Sequence, residues 1–352
     1  MSSEFNPNTK ASNKCGIFGL PFSEAESKIV YLPIPWDVTT SYLAGTSKGP
    51  AAILKASEQI DYFDLEYGDA YKCGLHMQKA KRWISTLNKS SRVHAEVIIN
   101  ADEDKIKTSK QLQKTLEKVN KASDKLNSGV EQMCLELLEQ DKIPVLVGGD
   151  HSIPFGSVNA YAKKYKSFGI LHFDAHSDTR DAYMGFEHSH ASIMRNISEK
   201  IPQVKKITQV GIRDFCDEEF EYIKKNKKYN VFFDIDMQRS KLEGVKFSKL
   251  AKDIVKTLPK KVYISFDIDG LDPKFCPNTG TPVPGGLDYQ EVLYILKEVV
   301  SSGREIIGFD LVEVGPSKVK GDEWDANVGM RLLYKLSAAC LASKKLIKAP
   351  KR

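Results

Sequence analysis

Apolar residues gather along the chain in short unbroken runs: "IVYLPIP" (29–35), "PVLVGG" (144–149), "FGILHFDA" (168–175), "ITQVGIR" (207–213), "NVFFDID" (230–236), "KVYISFDID" (261–269) and "EIIGFDLVEV" (305–314). Runs that do not alternate with polar residues mark strands covered on both faces, so these seven predict buried strands. Between them apolar positions recur at helical spacing, in "ASEQIDYF" (56–63), "KLNSGVEQMCLELLEQ" (125–140), "DEEFEYIKKNKK" (217–228) and "YQEVLYILKEVVSS" (289–302). Strand alternating with helix predicts an α/β fold, a three-layer αβα sandwich with a mainly parallel central sheet.

No internal repeat or low-complexity linker divides the chain. A single domain is expected from about residue 28 to 345, with an N-terminal arm over 1–27 and a basic tail over 346–352. The stretch near 80–125 is rich in Lys, Ser and Asn, and "SKQLQKTLEKVNKASDKL" (109–126) is patterned as an exposed helix, which reads as a surface insertion.

Composition narrows the function classes. Of 352 residues, 41% are hydrophobic and 28% charged, as in a globular protein, and 52 Lys+Arg against 46 Asp+Glu leave a net charge of +6. That excess is too small and too spread for a nucleic-acid footprint. The six cysteines (Cys15, Cys73, Cys134, Cys216, Cys276, Cys340) lie far apart with no CxxC pair, and no stretch resembles a signal peptide or an 18-residue apolar span. Reduced thiols, a cytoplasmic location and no membrane association are therefore expected.

In open α/β sheets ligands bind at the carboxyl ends of strands, which directs attention to the residues that end the apolar runs. "PVLVGGDHS" ends in Asp150 and His151, "ILHFDAHSD" in Asp174, His176 and Asp178, and "VYISFDIDGLDP" in Asp267 and Asp269, followed by Asp272. In an extended segment positions i, i+2 and i+4 share a face, so each set can converge. If the three strand ends are neighbours, four carboxylates (Asp174, Asp178, Asp267, Asp269) and two imidazoles (His151, His176) meet. Two divalent cations would balance that charge. Six side chains cannot saturate two metals separately, so some carboxylates would bridge, as in two-metal hydrolytic sites. Oxygen and imidazole donors without thiolate favour Mn²⁺, with Fe²⁺, Co²⁺ or Ni²⁺ open, and two Mn²⁺ per chain are expected.

Each motif alone has a plainer reading: GGDHS, for instance, serves equally as a turn and helix cap. Together, each at the end of a buried-type strand, they favour metal. "FFDID" repeats the DxD spacing without a following Gly or Asp-Pro, so Asp234 and Asp236 are expected at a strand end and in a loop. His172 lies short of its strand's carboxyl end and reads as a satisfied core residue. His188 and His190, in "GFEHSHASIMR", lie in the loop a substrate would pass, where one could shuttle a proton.

These motifs in this order, with "PIPWDVTTSYLAGTSKGPAAI" (33–53), "SHASIMR", "GTPVPGGL", "GFDLVEVGP" and "RLLYKL", resemble the ureohydrolase family of arginase, agmatinase and their relatives, which hydrolyse guanidinium groups to urea and an amine. The resemblance implies an arginase/deacetylase-like fold. It implies one Mn²⁺ on His151, Asp174, Asp178 and Asp267 and another on Asp174, His176, Asp267 and Asp269, with Asp174 and Asp267 bridging. It also implies that Glu313 pairs with the substrate guanidinium, that Asp178 and His190 transfer protons, and that the protein forms trimers or hexamers.

The loop "TRDAYMGFEHSHAS" (179–192) lacks the Asn, Ser and His-Gly pattern of arginases. It is similar to the agmatinase version, which implies agmatine, cleaved to putrescine and urea in polyamine biosynthesis. Guanidinobutyrate, another ω-guanidino acid, arginine, guanidine and formiminoglutamate are alternative substrates. A noncatalytic metal-binding relative is an alternative of another class, as is a deacetylase-like enzyme, whose paired catalytic histidines have no counterpart here. "DEWDANVGMRLL" (322–333) departs from the small or Thr-rich helix start of the family.

Overall fold

The computed structural model describes residues 5–8 and 16–350. Residues 1–4 and 9–15 of the expected arm, Cys15 among them, and 351–352 of the tail lie outside the described residues.

Among the described residues eight strands form one sheet: β1 (Ile29–Pro33), β2 (Leu75–Met77), β3 (Ile143–Val147), β4 (Phe168–Phe173), β5 (Val204–Ile212), β6 (Tyr229–Phe233), β7 (Lys261–Asp267) and β8 (Glu305–Val312). Their order is β2-β1-β3-β8-β7-β4-β5-β6, and every pairing is parallel. All seven expected strands are present. The eighth, β2, is a three-residue edge strand too short to leave a periodic signal.

The helices are α1 (Gly49–Ala56), α2 (Arg82–Ile99), α3 (Glu103–Thr108), α4 (Lys110–Glu139), α5 (Pro154–Lys164), α6 (Ile193–Lys200), α7 (Asp217–Lys225), α8 (Asp234–Leu242), α9 (Phe247–Lys256), α10 (Tyr289–Ser301) and α11 (Trp324–Ser343). Side chains alternate across each strand, so β1 sends Ile29 and Tyr31 to one core and Val30 and Leu32 to the other. α1, α9, α10 and α11 cover the first face; α2, α4, α5 and α6 cover the second. The architecture is the expected three-layer αβα sandwich. Ile17, Phe18 and Leu20, ahead of β1, are buried in the first core, where the Phe18 ring stands edge-on to Tyr334 at 5.2 Å.

Three local expectations change. "ASEQIDYF" is not a helix: α1 stops at Ala56, because Ser57 Oγ donates to the Leu54 carbonyl and accepts from Phe18 N–H, and a 3-10 turn follows. Asp234 and Asp236 are not in a loop but in the first turn of α8, where Asp234 accepts from Gly286 N–H. The lysine-rich stretch forms α2, α3 and the first half of α4. That half is not exposed all round, since Val119, Ala122, Ser123 and Leu126 are buried.

Candidate metal and substrate site

The sheet order brings the motifs together. β3, β8, β7 and β4 are neighbours, and their carboxyl ends present His151, Glu313, Asp267 and Asp174 side by side. At the end of β3 the chain turns through Gly149 with φ of +84°, where a Cβ would come within 2.5 Å of the Ile34 carbonyl oxygen. Only glycine allows that approach, and it sets His151 at the strand end.

Two overlapping groups of potential ligands result. His151 Nδ1 lies 2.9 Å from Asp174 Oδ2, 3.1 Å from Asp178 Oδ2 and 3.3 Å from Asp267 Oδ2. His176 Nδ1 lies 3.1 Å from Asp269 Oδ2 and 3.4 Å from Asp174 Oδ1. Asp174 belongs to both, one oxygen toward each imidazole. Asp178 sits at a φ of +54°, strained for a non-glycine residue, which points to a position imposed by its surroundings.

The donor chemistry at His151 fits a cation. Its Nε2–H donates to Ser265 Oγ (2.9 Å), and that hydroxyl donates on to Asp310 Oδ1 (3.0 Å). The relay leaves the Nδ1 lone pair facing three carboxylates, buried and without a hydrogen-bond partner. A lone pair aimed at anions is repulsive unless a proton or a metal ion lies between them. Asp174 is oriented in turn by His172, whose Nε2–H donates to Oδ2 (2.8 Å) while Gln209 donates to its Nδ1 (3.0 Å).

A model of the arginase family matches residues 27–338. The chain belongs to that family. It is 32% identical over 299 residues to N(1)-aminopropylagmatine ureohydrolase of Thermus thermophilus, covering 84% of this chain and 85% of that one. It is 30% identical over 300 residues to agmatinase of Bacillus cereus, covering 83% and 84%. The fold is similar to agmatine ureohydrolase of Thermoplasma volcanium, with a TM-score of 0.68 at 24% identity over 92% of this chain and 94% of that one. The protein is thus an arginase-family hydrolase.

In this member of the arginase family a cleft of about 160 Å³ opens onto the ligand groups, lined among others by Arg180, Tyr183, His190, Asp214, Thr281 and Glu313. Glu313 follows β8 with a φ of +60°. Its Oε1 accepts from His151 N–H (3.0 Å), and Oε2 is buried in the cleft without a partner. Burial first, then the charge of Asp150, hold this carboxyl well above its usual range. Of the two loop histidines only His190 lines the cleft; burial, then the positive His176 and His151, lower it to about 4, so it is neutral at pH 7. His188 faces away, edge-on to Phe155 at 4.9 Å. Asp272 stays out of the site and accepts from Lys274 N–H.

Without cations, the cluster holds protons in their place. Burial pulls His151 and His176 down, but the surrounding carboxylates outweigh it and leave both well above 6.5. Burial, then the charge of Asp174, raises Asp178 to about 7; Asp267 is likewise raised, by burial and then Asp269. Each of these groups, and Glu313, binds its proton more tightly folded than unfolded. Above about pH 6.5, where the unfolded imidazoles have given up their protons, the metal-free protein should therefore lose stability as pH rises, by about 1.4 kcal/mol per proton per pH unit. His172 and His190, held low, act in the opposite sense only below pH 6.5. The melting temperature of chelator-treated protein is expected to fall over this range, and the gain on adding Mn²⁺ to grow with pH. A melting temperature that rises with pH in the metal-free protein would contradict a proton-filled cation site.

Several site residues were not singled out from the sequence: Ser265, Asp310 and Gln209. For Ser265 and Asp310 the signal was present, because each is a lone polar residue between apolar neighbours in its strand and must find a partner; Gln209, beside Thr208, carries no such mark. The unexpected "DEWDANVGM" stretch has a role too. Asp325, buried at the start of α11, accepts from Asn278 N–H (2.8 Å) and Nδ2 (2.9 Å), and so holds the segment whose Thr279 hydroxyl donates to the Glu313 carbonyl (2.8 Å).

Proposed function

We propose that this protein hydrolyses the guanidinium group of agmatine or its N1-aminopropyl derivative to urea and an amine, with two Mn²⁺ held by His151, Asp174, His176, Asp178, Asp267 and Asp269. The observation that carries the reading is Glu313 Oε2, a buried carboxylate oxygen without a partner in the same cleft as the orphaned His151 Nδ1. A planar cation with several N–H donors satisfies that oxygen, and a guanidinium is such a cation.

Divalent cations at the cluster would supply Lewis acidity and a water of lowered pKa. Glu313 binds and orients the guanidinium, which is a poor electrophile until held at attack distance. The bond from the guanidinium carbon to the tail nitrogen breaks, water oxygen ends in urea, and the amine leaves with a proton. Asp178 and His190, both lining the cleft, are the groups placed to pass it.

The cleft mouth favours an amine tail over an amino-acid head group. Arg180, which could hold a carboxylate, is engaged: its guanidinium lies 4.7 Å from the Tyr183 ring centroid and its Nε 3.6 Å from Glu219. Asp214 is largely exposed and lies 3.8 Å from His176 Nε2, open to a cationic tail. The relatives named agmatinase and N(1)-aminopropylagmatine ureohydrolase agree with that choice. We further propose that the protein is cytoplasmic and a homo-oligomer, trimer or hexamer, that takes a small guanidino substrate and needs neither nucleic acid nor membrane.

Urea release by Mn²⁺-loaded protein, measured on agmatine, N1-aminopropylagmatine, arginine, guanidinobutyrate and guanidine with metal content on the same sample, tests this. Turnover is expected to favour the first two. Preference for arginine or guanidinobutyrate would refute the tail argument, and bound metal with no urea from any substrate would favour a noncatalytic relative.

A further inference from the structure

The first half of α4 carries a second pattern besides its buried stripe. Leu116, Asn120 and Asp124 stand four residues apart, so their side chains line one strip of the helix. All three meet the loop over residues 183–190. Asn120 Nδ2 donates to the Gly185 carbonyl (3.1 Å), while its Oδ1 accepts from Glu187 N–H (3.1 Å). Asp124 Oδ1 lies 3.4 Å from His188 Nε2. Leu116 covers Gly185 so closely that a Cβ there would sit 2.6 Å from Leu116 Cδ2.

The loop needs such a support. Ala182, Met184 and Gly185 take φ of +42°, +55° and +83°, backbone conformations that for Ala and Met persist only when the surroundings impose them. Behind Tyr183, between the loop and α3 and α4, lies a cavity of about 490 Å³ that shares Arg180 and Tyr183 with the substrate cleft. The loop therefore has room to relax away from the cleft if its hold is lost. An amide side chain supplies one donor and one acceptor at once, which is what an irregular segment needs for a carbonyl and an N–H that no strand or helix satisfies.

We infer that the Leu116, Asn120 and Asp124 strip of α4 fixes the loop that presents Tyr183 and His190 to the cleft, making Asn120 a positioning residue for hydrolysis. The lysine-rich stretch is then part of the active-site frame. The kinetic half of this inference rests on the cleft being the hydrolytic site; the structural half does not.

The test compares full-length, Mn²⁺-loaded wild type with Asn120→Ala, Asn120→Asp and Leu116→Ala, using Lys118→Ala on the exposed side of the same helix as the control. Urea release, metal content and amide hydrogen exchange over residues 181–192 are measured on each. Asn120→Ala should speed exchange of the loop on the order of tenfold. It should raise KM on the order of tenfold, with a smaller change in kcat and unchanged metal content. Asn120→Asp, which keeps only the acceptor, should fall between, Leu116→Ala should act in the same direction, and Lys118→Ala should be silent. Unchanged loop exchange in Asn120→Ala and Leu116→Ala overturns the inference, and so does faster exchange with unchanged KM. If wild type releases no urea, the catalytic reading fails by itself, and loop exchange still decides whether the strip holds the loop.

Discussion

Asp174→Asn is expected to lower urea release by about three orders of magnitude and to leave the protein with fewer bound cations, because the carboxylate common to both groups of potential ligands loses its charge. Asp174 faces His151 with Oδ2 and His176 with Oδ1, so neither group remains complete without its charge. Asparagine is the sharper variant. Its carbonyl oxygen can still accept a hydrogen bond, whereas alanine would also strand the His172 N–H, at a cost of about 1–3 kcal/mol. Metal analysis and turnover on one preparation, with circular dichroism as a check on folding, decide the matter. Full activity with a full metal complement would remove Asp174 from the site.

Glu313→Gln should separate substrate binding from metal binding. Glutamine keeps an oxygen to accept from His151 N–H, so the metal complement is expected to be unchanged. What disappears is a carboxyl group that could give up its proton and meet the proposed guanidinium as an anion. Removing one partner of a buried charged pair costs about 2–5 kcal/mol, so kcat/KM should fall roughly 30- to 5000-fold. Steady-state urea release beside metal analysis reads both quantities. A kcat/KM within a factor of two of wild type would mean that Glu313 does not touch the reacting group.

The pattern of the site was legible in the sequence to the extent that its geometry is local. Period-two spacing alone sets Asp174, His176 and Asp178 on one face, and unbroken apolar runs mark the strands whose ends carry them. The meeting of those ends depends on the strand order, in which β8 inserts between β3 and β7, and no spacing rule along the chain encodes that. For the same reason the relay from Asp310 through Ser265 to His151 was invisible as a relay, although two of its members interrupt apolar runs. It exists only because β7 and β8 pair with Ser265 beside Asp310. The role of Asn120 was less legible still. A polar residue on a lysine-rich helix looks solvated, and only the tertiary path of the 183–190 loop gives it partners.

The strand order also bears on how the protein is assembled. His151 and Glu313, joined by a hydrogen bond, are 162 residues apart in sequence, and the strands that carry them and Asp267 and Asp174 form the middle of the sheet. Closing contacts between such distant segments is the slow part of reaching a parallel sheet, and the cluster of carboxylates and imidazoles does not exist until that closure is complete. Cations held there would therefore reward only the finished chain: they would act as a latch against unfolding and do little to hasten folding, so newly made protein would have to find its sheet before metal could keep it.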